Sequence, residues 1–97
     1  CFALHELPIS IGQLIALQKF DLSYCSNLLK LPTSVGKLNA IKEFNLSRCS
    51  KLQKLPSSIG KLIYLQELNL SMCFKLESLP NGIGRMLSLE HLLVQDC

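Results

Sequence analysis

Prolines, glycines and cysteines keep step along this chain, and their common period decides what it can fold into. Pro8, Pro32, Pro56 and Pro80 stand 24 residues apart, and so do Cys1, Cys25, Cys49, Cys73 and Cys97. Four of the five glycines (Gly12, Gly36, Gly60 and Gly84) hold the same spacing. Self-similarity at a fixed period of roughly 20–50 residues marks stacked repeats rather than a single closed core. At 97 residues the chain would in any case have little capacity for a closed core. Aligned on the cysteines, full repeats run over 17–40, 41–64 and 65–88, with partial turns at 1–16 and 89–97. The chain starts and stops at one point of its period, and is expected to be part of something longer.

Each part of the repeat has a physical reading. The third repeat is LQELNLSMCFKLESLPNGIGRMLS. Leu68 and Leu70 alternate with Glu67, Asn69 and Ser71, a period of two that describes a short strand with one buried face. Cys73, Leu76 and Leu79 follow at spacing three, which suits a chain curling around a core. Leu79-Pro80 forces an extended or turn conformation. Ser34 and Ser58, ahead of Val35-Gly36 and Ile59-Gly60, are placed to cap a single helical or 3-10 turn, and the glycine is expected to keep that turn short. One such turn cannot bury enough to order itself, so turns must stack and pair their strands. The pattern resembles a leucine-rich repeat. The expected fold is an α/β solenoid with a 24-residue period. A short parallel β-sheet lines its concave face, and turns with short helical or 3-10 segments form its convex face. The strands are expected at 18–23, 42–47, 66–71 and 90–95.

Three kinds of chemistry would explain five regularly spaced cysteines. Equivalent residues in stacked turns come within disulfide reach, but their Cβ vectors run parallel where a disulfide needs them to converge, and five is an odd number. Zinc sites use clustered ligands, typically as C-x₂₋₄-C pairs, which a straight column does not supply. A catalytic cysteine needs a base and an electropositive setting, and His5 and His91 have no evident pairing with one. The ladder Cys1, Cys25, Cys49, Cys73 and Cys97 is therefore expected to be structural. Each rung would be a small buried thiol, a weak donor to nearby carbonyls, where the chain leaves its strand. Composition narrows the partners. A net charge of +3 without Lys/Arg clusters does not indicate a nucleic-acid binder. No apolar run approaches the roughly 18 residues of a membrane span. No metal partner is expected.

Outward strand positions would line the concave face, the usual extended binding surface of a solenoid. Read across the turns, they form the columns Lys19, Glu43, Glu67, His91; then Asp21, Asn45, Asn69, Leu93; then Ser23, Ser47, Ser71, Gln95. Just past the strands run Tyr24, Arg48, Met72 and Asp96. This last column has the strongest interface composition, and Tyr24 is placed to stack with Arg48. Glu43 beside Glu67 is a mild like-charge conflict. On the opposite side Gln13, Lys37, Lys61 and Arg85 form a mostly basic column.

The stretches LQELNLSMCFKLESLPNGIGRMLSLEHL and LPSSIGKLIYLQELNLSMC closely resemble the repeats of plant intracellular nucleotide-binding leucine-rich-repeat disease-resistance proteins, above all those with a Toll-like N-terminal domain. The resemblance covers the full chain. It implies a cytoplasmic repeat region that senses pathogen effectors and helps hold the nucleotide-binding domain inactive. The partner would be a protein, either an effector or another domain of the same parent. The family's ATP/ADP site and any Toll-like activity lie in other domains, and no G-x-x-x-x-G-K-[ST] loop occurs here. No enzyme activity and no cofactor are expected of this chain. Departures are Phe20 and Phe44 in place of a strand Leu, Asn81-Gly82 in place of Ser57-Ser58, and apolar Leu93 in a polar column. Three alternatives share similar repeats: a plant receptor-kinase ectodomain, a ubiquitin-ligase substrate adaptor, and a scaffold for small-GTPase signalling. Asn45-Leu46-Ser47 and Asn69-Leu70-Ser71 match the glycosylation sequon and are read as by-products of the repeat.

Overall fold

A computed structural model describes residues 5–86 and 88–94, without the side chains of Asn81 and Arg85. Four strands form one parallel sheet in the order β1-β2-β3-β4. They are β1 (Lys19–Asp21), β2 (Glu43–Asn45), β3 (Glu67–Asn69) and β4 (His91–Leu93). The register sets Lys19, Glu43, Glu67 and His91 in one line, as the 24-residue period requires. The strands lie where the alternation put them but at half the expected length. At the entry, the Gln18 carbonyl accepts from both Lys42 N–H (2.7 Å) and Glu43 N–H (3.2 Å), so the ladder begins on a shared acceptor. At the exit, single bonds persist, from Leu22 N–H to the Asn45 carbonyl and from Tyr24 N–H to the Ser47 carbonyl, while the chain is already turning.

Beyond the strand, three-residue hydrogen bonds curl the backbone. Cys25 N–H donates to the Leu22 carbonyl and Leu28 N–H to the Cys25 carbonyl, and the next two turns repeat both. A second, minimal parallel ladder then appears, which the sequence pattern did not reveal. Glu6, Lys30, Lys54 and Ser78 are bridged in register just ahead of the Leu-Pro step. The return path holds 3-10 turns at Ile9–Gln13, Thr33–Lys37, Ser57–Lys61 and Asn81–Arg85. Each is preceded by proline in extended geometry, with φ near −70°. The serines do not cap these turns. Proline holds the cap position, and no side-chain capping bond forms. Ser34 and Ser58 fall two residues too late. Ser58 Oγ instead donates to the Thr33 carbonyl of the preceding turn at 2.8 Å.

The glycines also serve a purpose other than stopping a helix. A Cβ at Gly36 would lie 2.7 Å from the Ser58 carbonyl oxygen, and one at Gly60 would lie 2.9 Å from Gly82 Cα. At Gly12 the same construction meets the Ser34 carbonyl oxygen at 2.8 Å. Successive 3-10 turns therefore touch backbone to backbone, and the missing side chain is what lets them.

Between the sheet and the 3-10 turns lies the core. In the middle repeat Ile41, Phe44, Leu46, Cys49, Leu52, Leu55, Ile59 and Leu62 are all buried. Strand alternation picks out Phe44 and Leu46, and spacing three picks out Cys49, Leu52 and Leu55; Ile41, Ile59 and Leu62 complete the set. The Phe20 and Phe44 rings stack at 5.1 Å between centroids, 14° from parallel, so the two departures from leucine compensate each other across β1 and β2. Burial falls off in the outer turns. Leu14 and Leu79 are exposed, whereas their equivalents Leu38, Leu62, Leu31 and Leu55 are buried.

Gly60→Ala should therefore destabilise the fold by about 1–3 kcal/mol, the usual cost of forcing extra volume into a packed site. Gly84→Ala should be neutral or slightly stabilising, because nothing among the described residues lies within 4 Å of its added Cβ. Urea denaturation of both variants checks this; equal midpoints would show that the turns do not pack as described.

Candidate functional site

The site is built where each strand ends. Asn45 Oδ1 accepts from Ser47 N–H at 3.0 Å, and Asn69 Oδ1 accepts from Ser71 N–H at 3.0 Å. Asp21 Oδ1 does the same for Ser23 N–H at 2.9 Å. An Asx turn of this kind offers the backbone a local alternative to the ladder, and it is why the strands stop after three residues. The Asn-Leu-Ser phrase is thus a strand terminator, which gives the two sequons a structural reason. The Ser23 hydroxyl and N–H together hold the Asp21 carboxyl below its ordinary 3.8. Of the columns expected to face a partner, this one is largely committed to the fold. Leu93, at the same position of β4, is exposed and carries no side-chain acceptor.

The next step is a tight turn, in which Leu22 accepts from Cys25 N–H across Ser23 and Tyr24. Tyr24, Arg48 and Met72 occupy its third position with φ of 63°, 63° and 62°. That left-handed region is what a type II turn demands there, and it normally selects glycine or asparagine. Three bulky residues holding it in succession went unpredicted, because no Gly or Asn marks the place. The consequence for their side chains is direct. Tyr24 and Arg48 are exposed, Met72 is half-buried, and the Arg48 guanidinium lies 5.2 Å from the Tyr24 ring centroid. The stacking expected of this pair is therefore present.

The turn closes on the cysteine. Cys49 Sγ donates to the Leu22 carbonyl at 3.2 Å and Cys73 Sγ to the Leu46 carbonyl at 3.2 Å. Each of these carbonyls also accepts the N–H of the cysteine in its own turn. The thiol therefore spends the second lone pair of a buried acceptor and ties adjacent turns together. Cys49 and Cys73 are both fully buried, and Cys49 is a free thiol. Burial pushes the Cys49 thiol up from 9.0 to about 11, so it is protonated at neutral pH and poorly suited to nucleophilic or metal chemistry. One rung departs from the expected ladder of free thiols: Cys25 is disulfide-bonded. The distance between stacked turns had left such a bond open. Cys1 and Cys97 lie outside the described residues. Among those residues no group of three His, Cys, Asp or Glu side chains gathers to hold a metal, and no helix is long and apolar enough to cross a membrane.

On the sheet itself, Lys19, Asp21, Glu43, Asn45, Glu67 and Asn69 line a shallow hollow of about 180 Å³. Lys19 Nζ pairs with Glu43 at 3.4 Å, which takes up one of the two adjacent carboxylates. Glu67 stands between Glu43 and the exposed His91 in register. Ser23, Ser47 and Ser71 are half-buried at the turn. Gln95 and Asp96, expected to extend two of these columns, lie outside the described residues. Lys37 and Lys61 are exposed at the ends of their 3-10 turns, on the far side of the core.

Comparison with known proteins places this geometry. The Leucine Rich Repeat family matches residues 16–38, 40–62 and 64–86. No curated protein matches the chain. Among solved structures it is similar to a leucine-rich repeat protein of Leptospira interrogans, at 32% identity and a TM-score of 0.62 over 95% of this chain. It is also similar to the plant peptide hormone receptor RGFR1 in complex with RGF2, at 28% identity and a TM-score of 0.63 over 93%. The leucine-rich repeat domain of the type III effector XopL shares the fold at 23% identity and a TM-score of 0.64 over 94%. The chain spans 29%, 18% and 38% of those three proteins, respectively.

Two measurements test the roles assigned to Asn45 and Cys49. Asn45→Ala should cost about 1 kcal/mol, the typical worth of one hydrogen bond, whereas Asn45→Asp keeps the acceptor and should stay near the parent; equal melting of all three would show that the Asx bond does not end the strand. For Cys49 the folded protein holds the thiol proton more tightly than the unfolded chain does. The stability it contributes is therefore fully present below about pH 9 and is lost as pH rises through about 11. Thermal melts across that range should fall more steeply for the parent than for Cys49→Ala; parallel curves would place the cause elsewhere.

Proposed function

The chain belongs to the leucine-rich repeat family, and we propose that it serves as a non-catalytic protein-recognition module within a plant intracellular immune receptor. Domains of this family are generally protein-interaction modules without catalysis of their own. One observation carries the recognition reading: the strand-and-turn segment divides its residues cleanly. Asp21, Asn45 and Asn69 are committed to the turn and the cysteines to the core. That leaves the column of Lys19, Glu43, Glu67 and His91, its first two members paired with each other, and the column of Tyr24, Arg48 and Met72 to meet a partner across several turns. The immune assignment rests on the Leu-x-x-Leu-Pro-x-x-Ile-Gly phrase set on a cysteine ladder, as in Leu52–Gly60. In this reading the module works in the cytoplasm without a cofactor. Its partner is a pathogen effector or another domain of the same parent, which it restrains.

A second reading, the ectodomain of a plant receptor, is favoured by the disulfide at Cys25, since such bonds persist in oxidising compartments. The two readings predict different native material. An immune receptor carries a nucleotide-binding domain upstream in the same transcript, bears no glycan on Asn45 or Asn69, and has Cys25 reduced in cell extracts alkylated at lysis. Mass spectrometry of the native protein decides between them. A glycan at either sequon, or an oxidised Cys25 in alkylated extract, would sink the intracellular assignment.

A further inference from the structure

The left-handed turns carry information beyond the concave face. For an L-residue with a bulky side chain, φ near +60° brings Cβ against the following carbonyl, and only glycine, or occasionally asparagine or aspartate, takes that conformation routinely. Here Tyr24, Arg48 and Met72 hold it one turn after another. Glycine at these places would leave the fold's hydrogen bonds intact, because each residue contributes only backbone groups to the turn and to the ladder. The side chains are kept although they strain the backbone. Tyr, Arg and Met are also enriched at interfaces, and Tyr and Arg at their hot spots. The Arg48 guanidinium, stacked on Tyr24, enters no salt bridge among the described residues. Two positions past Met72, where the other turns have Ser26 and Ser50, stands Phe74, 57% exposed.

We propose that the rim made by Tyr24, Arg48, Met72 and Phe74, rather than the floor of the sheet, is the principal contact surface of this module, and that it takes a segment of a partner protein in which a carboxylate is flanked by aromatic or aliphatic side chains. The carboxylate meets the two-pronged guanidinium of Arg48, already oriented by Tyr24. The apolar flanks cover Met72 on one side and the Tyr24 edge on the other, with Phe74 closing the outer end. Backbone strain is stored at functional positions when the surrounding structure holds it in place, and the paired ladder bonds of Tyr24 and Arg48 supply that hold. This inference rests on the recognition reading above and narrows it to one surface and one partner chemistry.

A random-peptide phage library panned against the 97-residue chain tests it. The expected outcome is enrichment of peptides with Asp or Glu beside Phe, Trp, Tyr or Leu. Arg48→Gly should then bind the enriched peptide about tenfold more weakly or worse while melting at a higher denaturant midpoint than the parent. Lys61→Glu, at the end of a 3-10 turn on the far side of the core, should bind it as before. If the peptides bind Arg48→Gly and Met72→Gly unchanged but are lost with Glu67→Lys on the sheet floor, the rim proposal is overturned while protein recognition stands. Enriched peptides without an acidic residue overturn the assigned chemistry. An unchanged or lower midpoint for Arg48→Gly removes the strain argument and with it the proposal. Failure to enrich any peptide counts against both the rim and the recognition reading.

Discussion

Contact between consecutive 3-10 turns is the constraint from which the rest of this structure follows. Their backbones approach so closely that a single Cβ at Gly36 or Gly60 would meet the neighbouring turn at under 3 Å. With that spacing set on one side of the core and parallel strand pairing on the other, every turn must repeat its neighbour almost atom for atom. The eight buried positions of the middle repeat then fall into register without further instruction. A substitution is absorbed only where the next turn answers it, as Phe44 answers Phe20.

Within that frame the strand-end phrase assigns each residue a separate task. Asparagine stops the strand, leucine enters the core, serine rounds the corner, the next residue points outward from a left-handed backbone, and cysteine returns to the core to satisfy a carbonyl. The order matters because the tasks conflict. A strand that ran on for six residues would leave no room for the left-handed turn, and the residues at 24, 48 and 72 would join the pleat instead of standing at its rim. Recognition and folding thus draw on neighbouring residues of one short phrase without competing for the same side chain.

Much of this could be read from the amino acids. Period, sheet direction, register and the buried set follow from Pro, Gly, Leu and Cys recurring together, since those residues are fixed by packing that each turn repeats. The stacking of Arg48 on Tyr24 was likewise accessible, because register alone makes them neighbours. What could not be read were features that depend on backbone torsion or on contacts between turns. Tyr, Arg and Met give no sign of a positive φ. Lys30 and Lys54 look like ordinary surface residues, yet they form a ladder. The serines fit a capping pattern, but proline had already taken the cap position. The glycines were explained by helix propensity when the actual reason was their neighbour's backbone. At Cys25 the expectation of a buried thiol failed, because a period and a count do not tell which rung is oxidised.

Four side-chain hydrogen bonds between turns share one direction. Cys49 donates to Leu22, Cys73 to Leu46, Ser58 to Thr33, and Lys51 Nζ to Asn27 Oδ1. In each of these four the donor belongs to the later turn and the acceptor to the earlier one, whereas the Lys19–Glu43 ion pair runs the other way. The solenoid is therefore polar along its axis, like a stack of cups that nests only one way up. The strand ladder exchanges bonds both ways, but the buried thiols always reach back to the turn before. An element that seals the N-terminal end of such an array therefore meets a different set of side-chain groups from one that seals the C-terminal end.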